Sequence, residues 1–404
     1  MTALTTHEAA QRLGVKVETL YAYVSRGLIE RHRSVDGRSV FDPRAIETLA
    51  RRGRPRQSSR STSLNMLIET RITSLSPQGV RYRGELSSEL ALTSRFEDVA
   101  DLLWLGELAA GNSSSWQGSV LPTDPDADLI GAVRVIVAEA STRPPAATGL
   151  DAASVAITGR HLIATVVDSL PPAGPTRIPQ LVLPRRAGDA PRASIPATIA
   201  GRLWTRLSPR RPQPGMLAVL NAALVLLADH ELAASTMAVR VAASTHANPI
   251  AVVSTGLGAL SGPLHGGASI DVRLMLERAA EIGATRAVAE IIDARRRVPG
   301  FGHRVYVDAD PRAVVLLRLL RDVVGRSRTL NLVDDVHEAV GRRIERHANI
   351  DFALGAMGMV GGMPIDGGEV VMSIARMAGW LAHAIEEYQE APLRFRPRAS
   401  YIGP

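Results

Sequence analysis

A mainly α-helical chain in two unequal parts is what this sequence predicts, and three observations carry the prediction. Of its 404 residues 46% are hydrophobic but only 4% aromatic, and a composition rich in Ala, Leu and Val suits helices packed through small and medium side chains. Apolar positions keep helical spacing, as in Phe96, Val99, Ala100 and Leu103. Charge then divides the chain. Residues 1–63 hold 12 Lys and Arg against 6 Asp and Glu, so nearly all of the whole-chain charge of +7 lies there. The length suits two or three domains, and the expected division is 1–52, a basic linker over 53–63, and 64–404.

Several classes of chemistry drop out at once. There is no cysteine, which removes disulfides, zinc fingers and thiol nucleophiles. Lys16 is the single lysine, so the large part has no residue for a Schiff base. The start lacks a basic-then-apolar leader, and the longest apolar stretch, Met216–Ala228, is interrupted by Asn221 and is too short for a bilayer. A soluble cytoplasmic protein without a membrane partner is expected.

In the first part, Thr5-x-x-Glu8 is a capping box opening a helix that carries Ala9, Ala10 and Leu13. Gly14-Val15 makes a turn. Val17–Arg26 reads as a second helix with Leu20 and Val24 facing inward, ended by Gly27. Asp36-Gly37 signals a hairpin between Arg33-Ser34-Val35 and Arg38–Phe41, and Pro43–Arg52 reads as a third helix. The run E-A-A-Q-R-L-G-V-K-V-E-T-L-Y-A-Y-V-S-R-G-L-I resembles the winged helix-turn-helix of the MerR and excisionase type. The resemblance implies DNA binding, with Val17–Arg26 in the major groove, Lys16, Thr19 and Tyr21 as contacts, and Arg38 of the wing on phosphate. Lys16 stands where that family often has Ser or Thr, and Ala22-Tyr23 where it has an Arg-Tyr pair. A helical appendage that binds another protein is the alternative. Gly53–Ser63 is a polar tether, although Arg52-Gly53-Arg54-Pro55 is similar to the core of an AT-hook.

The second part opens with Ile68–Gly84, which alternates like a short strand and turn, followed by the helix at Phe96; both read as packing. Gly111–Asp128 and Pro171–Pro196 must contain long loops. Leu217–Arg240 reads as one long apolar helix running through Ala228-Asp229-His230-Glu231-Leu232. In Gly262–Ala268 glycines crowd His265, and in Val298–Ala313 they flank His303 ahead of Arg304 and Arg312. Asp310-Pro311 breaks the chain so that Arg312 opens a new helix. Asp351, before Phe352 in an apolar run, would be desolvated and raised in pKa. Each has a plainer reading: a satisfied buried histidine for His230, a glycine-rich turn for His265, a surface loop for His303, a helix cap for Asp351.

These segments share one resemblance. The strings D-H-E-L-A-A-S-T, G-P-L-H-G-G-A, P-G-F-G-H-R-V-Y-x-x-x-D-P-R-A, N-I-D-F, A-R-M-A-G-W and R-P-R-x-x-Y-x-G occur in the order found in citrate synthases, as do Y-R-G and F-x-x-V-x-x-L-L-x-x-G-E-L before them. Residues 66–404 therefore resemble that family, which implies its large and small helical domains. It also implies condensation of acetyl-CoA with oxaloacetate and water, with no cofactor beyond the acetyl-CoA substrate and no metal. Carried over, Asp351 is the base, His265 the donor to the thioester carbonyl, and His303 the group that polarises the ketone and protonates the alkoxide. His230, Arg312, Arg376 and Arg396 would hold the acceptor's carboxylates, which suits arginine's planar fork. Arg396 would act in the neighbouring subunit, implying a homodimer, and Arg304 would contact coenzyme A.

Three departures stand out. Ala233 replaces an asparagine, Ala353-Leu354 replaces an aromatic residue and serine, and Val307 stands where a cation usually meets coenzyme A phosphate. A raised KM for acyl-CoA follows unless Arg304 or one of Arg295, Arg296 and Arg297 substitutes. Two other functions stay open: a 2-methylcitrate synthase using propionyl-CoA, and a transcriptional regulator using this fold as a metabolite sensor. An enzyme that also binds palindromic DNA as a dimer would combine both.

Overall fold

The computed structural model describes residues 4–13, 15–25, 27–34, 37, 39–51, 67–76, 79–108, 115–124, 126–184, 197–262, 265–294, 296–397 and 401, with residues 47, 48, 50 and 51 described by backbone alone. It divides into two compact units, Met1–Glu69 and Thr70–Pro404.

In the small unit the capping box forms. The Thr5 amide donates to Glu8 Oε2 (2.8 Å) and the Glu8 amide to Thr5 Oγ1 (3.4 Å), opening helix Thr6–Leu13. The next helix is Val17–Ser25, begun by amides of Thr19 and Leu20 donating to the Lys16 carbonyl. Its inward residues are Leu20 and Tyr23, whereas Val24, expected inside, is half-buried. Tyr23 carries the larger apolar surface one position away, and that turns the helix. Ala9, Ala10, Ile29, Phe41, Ile46 and Leu49 complete the core. Strands His32–Arg33 and Ser39–Phe41 pair antiparallel in the register His32↔Val40, as the hairpin signal predicts. Leu4–Thr5 adds a third strand on the other side of Ser39–Phe41, too short for its alternation to be read in sequence. The third helix is Pro43–Arg51. Gly14, Asp36, Arg38 and the 53–63 linker lie outside the described residues.

The large unit starts with three antiparallel strands, Thr73–Ser76, Gly79–Tyr82 and Glu85–Leu86. The expected strand and turn over 68–84 is thus a small sheet that begins at Thr73. The described residues after it are helix and loop, apart from one isolated antiparallel bridge between Phe301 and Ala348. Helix Gly367–Glu387 lies at the centre, with 20 of its 21 residues buried. A helix covered on every side must be surrounded by others, and Phe96–Leu105, Ala152–Ser169, Pro214–Leu227, Ala234–Ala243 and Pro249–Leu260 pack around it. A further group, Ala268–Ile282, Ala284–Asp293, Pro311–Val324, Arg328–Gly341 and Ile350–Gly361, packs largely on itself. The described parts of the Gly- and Pro-rich stretches 115–128 and 171–184 hold no helix or strand.

Leu217–Arg240 is not one helix. Pro214–Leu227 ends, residues 228–233 form a loop with Glu231 at φ +54°, and Ala234–Ala243 follows. The reason lies far away in sequence. A helix end leaves carbonyls without partners, and here they are met from outside. The Tyr82 hydroxyl donates toward the carbonyls of Val225, Leu226 and Asp229 at 3.0–3.2 Å, and Arg376 Nε donates to that of Leu227 at 2.9 Å. Asn221, the polar interruption in the apolar run, accepts from the Phe96 amide and donates to the Ser94 carbonyl, binding this helix to the start of Phe96–Leu105. No helix of the described residues is long and apolar enough to cross a membrane.

Candidate active site

The loop at 228–233, the turn before Ala268, the 298–312 segment and the start of Ile350–Gly361 supply the candidate side chains. Two motifs are tied to each other first. The Asn349 amide donates to the Gly300 carbonyl, the Gly302 amide to that of His347, and Asn349 Nδ2 to that of Gly302. Gly300 sits at φ +77°, and a Cβ there would meet Phe352 at 2.8 Å, so only glycine lets the loop lie on this helix. Asp310 finishes the join. It caps the helix that Arg312 enters, as expected, accepts from the Ile350 amide (3.1 Å), and pairs with Arg312 through both oxygens (3.0 and 2.8 Å). His303 and Asp351 are thereby fixed in one neighbourhood.

Their hydrogen bonds decide which nitrogen of each histidine is free. His303 Nδ1 accepts from the amides of Val305 (3.0 Å) and Tyr306 (3.3 Å), so the neutral ring carries its proton on Nε2. That Nε2 lies 3.5 Å from Arg312 Nη2, which leaves two donors converging on one gap. Burial, with the Arg312 charge, holds the His303 pKa below its ordinary value. His265 is fixed the opposite way. Trp380 Nε1 donates to Ser235 Oγ (3.2 Å), and Ser235 Oγ lies 2.8 Å from His265 Nε2. The hydroxyl proton therefore points to Nε2, and Nδ1–H of His265 is left to donate. Burial, with Arg376 nearby, lowers the His265 pKa to about 4, so this ring is neutral at physiological pH.

His230 projects from the 228–233 loop with Nε2 3.0 Å from the Tyr306 hydroxyl and its ring 5.3 Å from that of His303. Burial and the charges of Arg312 and Arg376 push its pKa far below the ordinary value. Asp351 is not the helix cap; Asn349 is, accepting from the amides of Asp351 and Phe352. The carboxylate is left free, with Oδ1 buried and without a partner among the described residues. Burial raises its pKa to about 6 against the pull of Arg312 and Arg376. Arg376 is itself buried, and burial lowers its pKa despite the nearby Asp229.

Six expected residues therefore share one polar centre: His230, His265, His303, Arg312, Asp351 and Arg376. Arg396 does not join it. It is exposed in the C-terminal segment, and no hydrogen bond or ion pair of the described residues ties it to the centre. Arg304 is exposed and lines a cavity of about 620 Å³ with His303, Arg296, Arg297 and Arg346. Val307 is 90% exposed, and four arginines line the cavity beside His303. Arg295 lies outside the described residues. Sequence reasoning missed Tyr306, Ser235, Trp380, Tyr82 and Arg346. Trp380 was within reach, since A-R-M-A-G-W contains it. Among the described residues no group of three or more His, Asp or Glu is placed to hold a metal ion.

In the small unit Lys16 is exposed and Thr19 half-buried. Tyr21 is 38% exposed, but hydrogen bonds with the side chains of Thr6 and Ser39 engage its hydroxyl. Helix Val17–Ser25 carries Glu18 and no cation; the described cations beside it include Lys16 before it and exposed Arg31 and Arg33 on the hairpin side, while Arg26, expected as its last residue, lies outside the described residues.

Comparison with known proteins assigns a family to each part of the chain. The family model described as "Citrate synthase, C-terminal domain" matches residues 64–398, and one described as "Helix-turn-helix domain" matches residues 3–54. The citrate synthase of Haloferax volcanii is 30% identical over 343 residues, covering 80% of this chain and 89% of that protein. The citrate synthase of Acidithiobacillus ferridurans is 37% identical over 209 residues, which is 49% of this chain and about half, 53%, of that relative's length. The solved citrate synthase from Thermotoga maritima superimposes with a TM-score of 0.65 at 26% identity, over 85% of this chain and 96% of that one. With a family model matched over most of its length, the chain belongs to the citrate synthase family.

Proposed function

We propose that the large unit condenses acetyl-CoA with oxaloacetate and water to give citrate and coenzyme A. The observation that carries this is a carboxylate with a pKa near 6 in the same polar centre as two neutral imidazoles, each of whose tautomers leaves one N–H free. A thioester methyl is a weak acid, so removing its proton needs a base poised near neutral pH and a donor for the oxygen that gains charge. Asp351 takes the methyl proton while His265 Nδ1–H donates to the thioester oxygen. The resulting carbanion attacks the ketone carbon of oxaloacetate. His303 Nε2–H gives its proton to the alkoxide, and water then cleaves the citryl thioester to citrate and free thiol. Arg312, Arg376 and His230 hold the acceptor's carboxylates, with Arg396 supplied from the other subunit of a homodimer. The arginines of the 620 Å³ cavity receive the coenzyme A phosphates.

Among the described residues none distinguishes acetyl from propionyl as the acyl group, so 2-methylcitrate is the competing product. For the small unit we propose DNA binding, supported by the helix-turn-helix match and by the charge excess of residues 1–63. Because Val17–Ser25 has no cation of its own, phosphate contacts from the wing side would supply most of the affinity. The cytoplasm, where acyl-CoA and DNA meet, suits both roles. The tests are direct. Asp351→Ala should lose citrate formation, and near-normal activity in that variant overturns the catalytic assignment. Binding to a palindromic operator should exceed binding to random duplex in a gel shift, and equal affinity overturns specific regulation.

A further inference from the structure

The most heavily buried ionisable side chains among the described residues of the large unit lie outside the centre just described. Asp229, Arg240 and His383 are fully buried and Glu387 nearly so. Burying charge is unfavourable unless every member is paired, and these are joined in one directional chain. Arg240 Nε–H can only donate, and it meets His383 Nδ1 at 3.0 Å. The neutral ring therefore carries its proton on Nε2, which faces Asp229 Oδ2 at 3.3 Å. Asp229 Oδ2 also accepts from the Glu231 amide at 3.0 Å. His230 is thus bracketed between the two residues that this carboxylate fixes, and Glu231 is held at φ +54°, a conformation a non-glycine residue keeps only when its surroundings impose it. Gly379 of the central helix supports the same loop, donating its amide to the Ala228 carbonyl at 3.0 Å.

The chain continues at its other end. Arg240 donates to Glu387 at 2.9 Å and to Glu386. Glu387 also takes both forks of Arg394 at 2.6 Å each. Arg394 belongs to the segment after helix Gly367–Glu387, anchored again by the Leu393 amide on the Ser244 carbonyl (2.8 Å). Arg396 stands two residues further on.

We propose that His383 and Arg394 are positioning residues for the acceptor pocket, coupling the seating of the C-terminal segment to the placement of His230. The two ends of the chain are the loop that presents His230 and the segment that carries Arg396, so order at one end is transmitted to the other through Glu387, Arg240, His383 and Asp229. This rests on the reading of His230 as a ligand of the 2-oxoacid.

The experiment compares His383→Leu, His383→Gln and Arg394→Ala with the wild-type full chain. Kinetics and hydrogen exchange of the backbone over residues 228–233 are both measured. Glutamine can accept from Arg240 through its carbonyl oxygen and donate to Asp229 through its amide, whereas leucine does neither. His383→Leu and Arg394→Ala should raise the KM for oxaloacetate about ten-fold, leave that for acetyl-CoA within about two-fold, and speed exchange at 228–233. His383→Gln should restore most of both. Arg394 has a side chain 28% exposed, so its removal tests the coupling even where His383→Leu fails to fold. An Arg394→Ala variant with unchanged oxaloacetate KM and unchanged exchange at 228–233 overturns the proposal, as does an equal rise in both KM values. Should the wild type not turn over these substrates, the reading of the site fails on its own. Exchange at 228–233 still decides the coupling, faster in the variants if it exists and the same if it does not.

Discussion

Replacing Asp351 by asparagine should make the protein more stable at neutral pH while removing its activity. The carboxyl goes from an ordinary pKa of 3.8 to about 6 in the fold, with burial as the main cause. A raised folded-state value means that the native protein binds the proton more tightly than the unfolded chain, so stability falls as pH rises from about 4 to about 6 and stays lower above that. Two units at about 1.4 kcal/mol each give roughly 3 kcal/mol. Because part of the residue outside the buried Oδ1 meets water, about 2 kcal/mol is the working figure. Asparagine has the same shape and no charge, so the variant escapes this penalty. In a unit of this size that is a rise in Tm of about 3 °C. Thermal unfolding of both proteins at matched ionic strength between pH 4.5 and 8 reads it directly. The Tm difference should be small at pH 4.5 and full at pH 7.5. A variant no more stable than wild type at pH 7.5, or a difference that ignores pH, refutes the assignment of a desolvated carboxylate. The same titration should make the wild-type kcat/KM fall as pH drops through about 6.

Other outcomes follow from named contacts. Ser235→Ala removes the hydroxyl that fixes the His265 tautomer and should lower kcat by about ten- to a hundred-fold with little change in Tm; unchanged kcat would show that His265 is oriented otherwise. Gly379→Ala would place a Cβ 2.4 Å from the Ala228 carbonyl oxygen and from Asp229 Oδ1. Overpacking against backbone should cost about 1–3 kcal/mol and raise the KM for oxaloacetate, and a silent substitution would mean that the loop has room to move. Arg346→Ala and Arg296→Ala should raise the KM for acetyl-CoA several-fold, less so at high salt, with the oxaloacetate KM unaffected; an unchanged acetyl-CoA KM would place the coenzyme elsewhere.

Much of this was legible before the fold was known, and the rest was hidden for physical reasons. Thr5 and Glu8, the hairpin and the proline that opens Pro311–Val324 act within a few residues of themselves, and local chemistry can be read locally. The expectation that Asp351 is desolvated likewise came from its apolar neighbours. The break after Leu227 could not be read, because the apolar pattern runs straight through it and the groups that satisfy the helix end, Tyr82 and Arg376, come from about 145 residues before and 149 after. Ser235 and Tyr306 look like ordinary packing in sequence. Only their distances to His265 and His230 give them a role. Helix Gly367–Glu387 makes the same point, since Arg376, Gly379, Trp380 and His383 each fix a different part of the centre or its supports from one buried element.

Release of free thiol from acetyl-CoA in the presence of oxaloacetate, run beside propionyl-CoA and with Asp351→Ala as the control, bears most directly on the proposed chemistry. The protein has no cysteine, so it adds no background to a thiol reagent. Turnover that requires oxaloacetate and vanishes in the variant is the predicted result, and the ratio of the two donors names the product. Oxaloacetate binding without thiol release from either donor would show that this fold senses the metabolite and does not condense it.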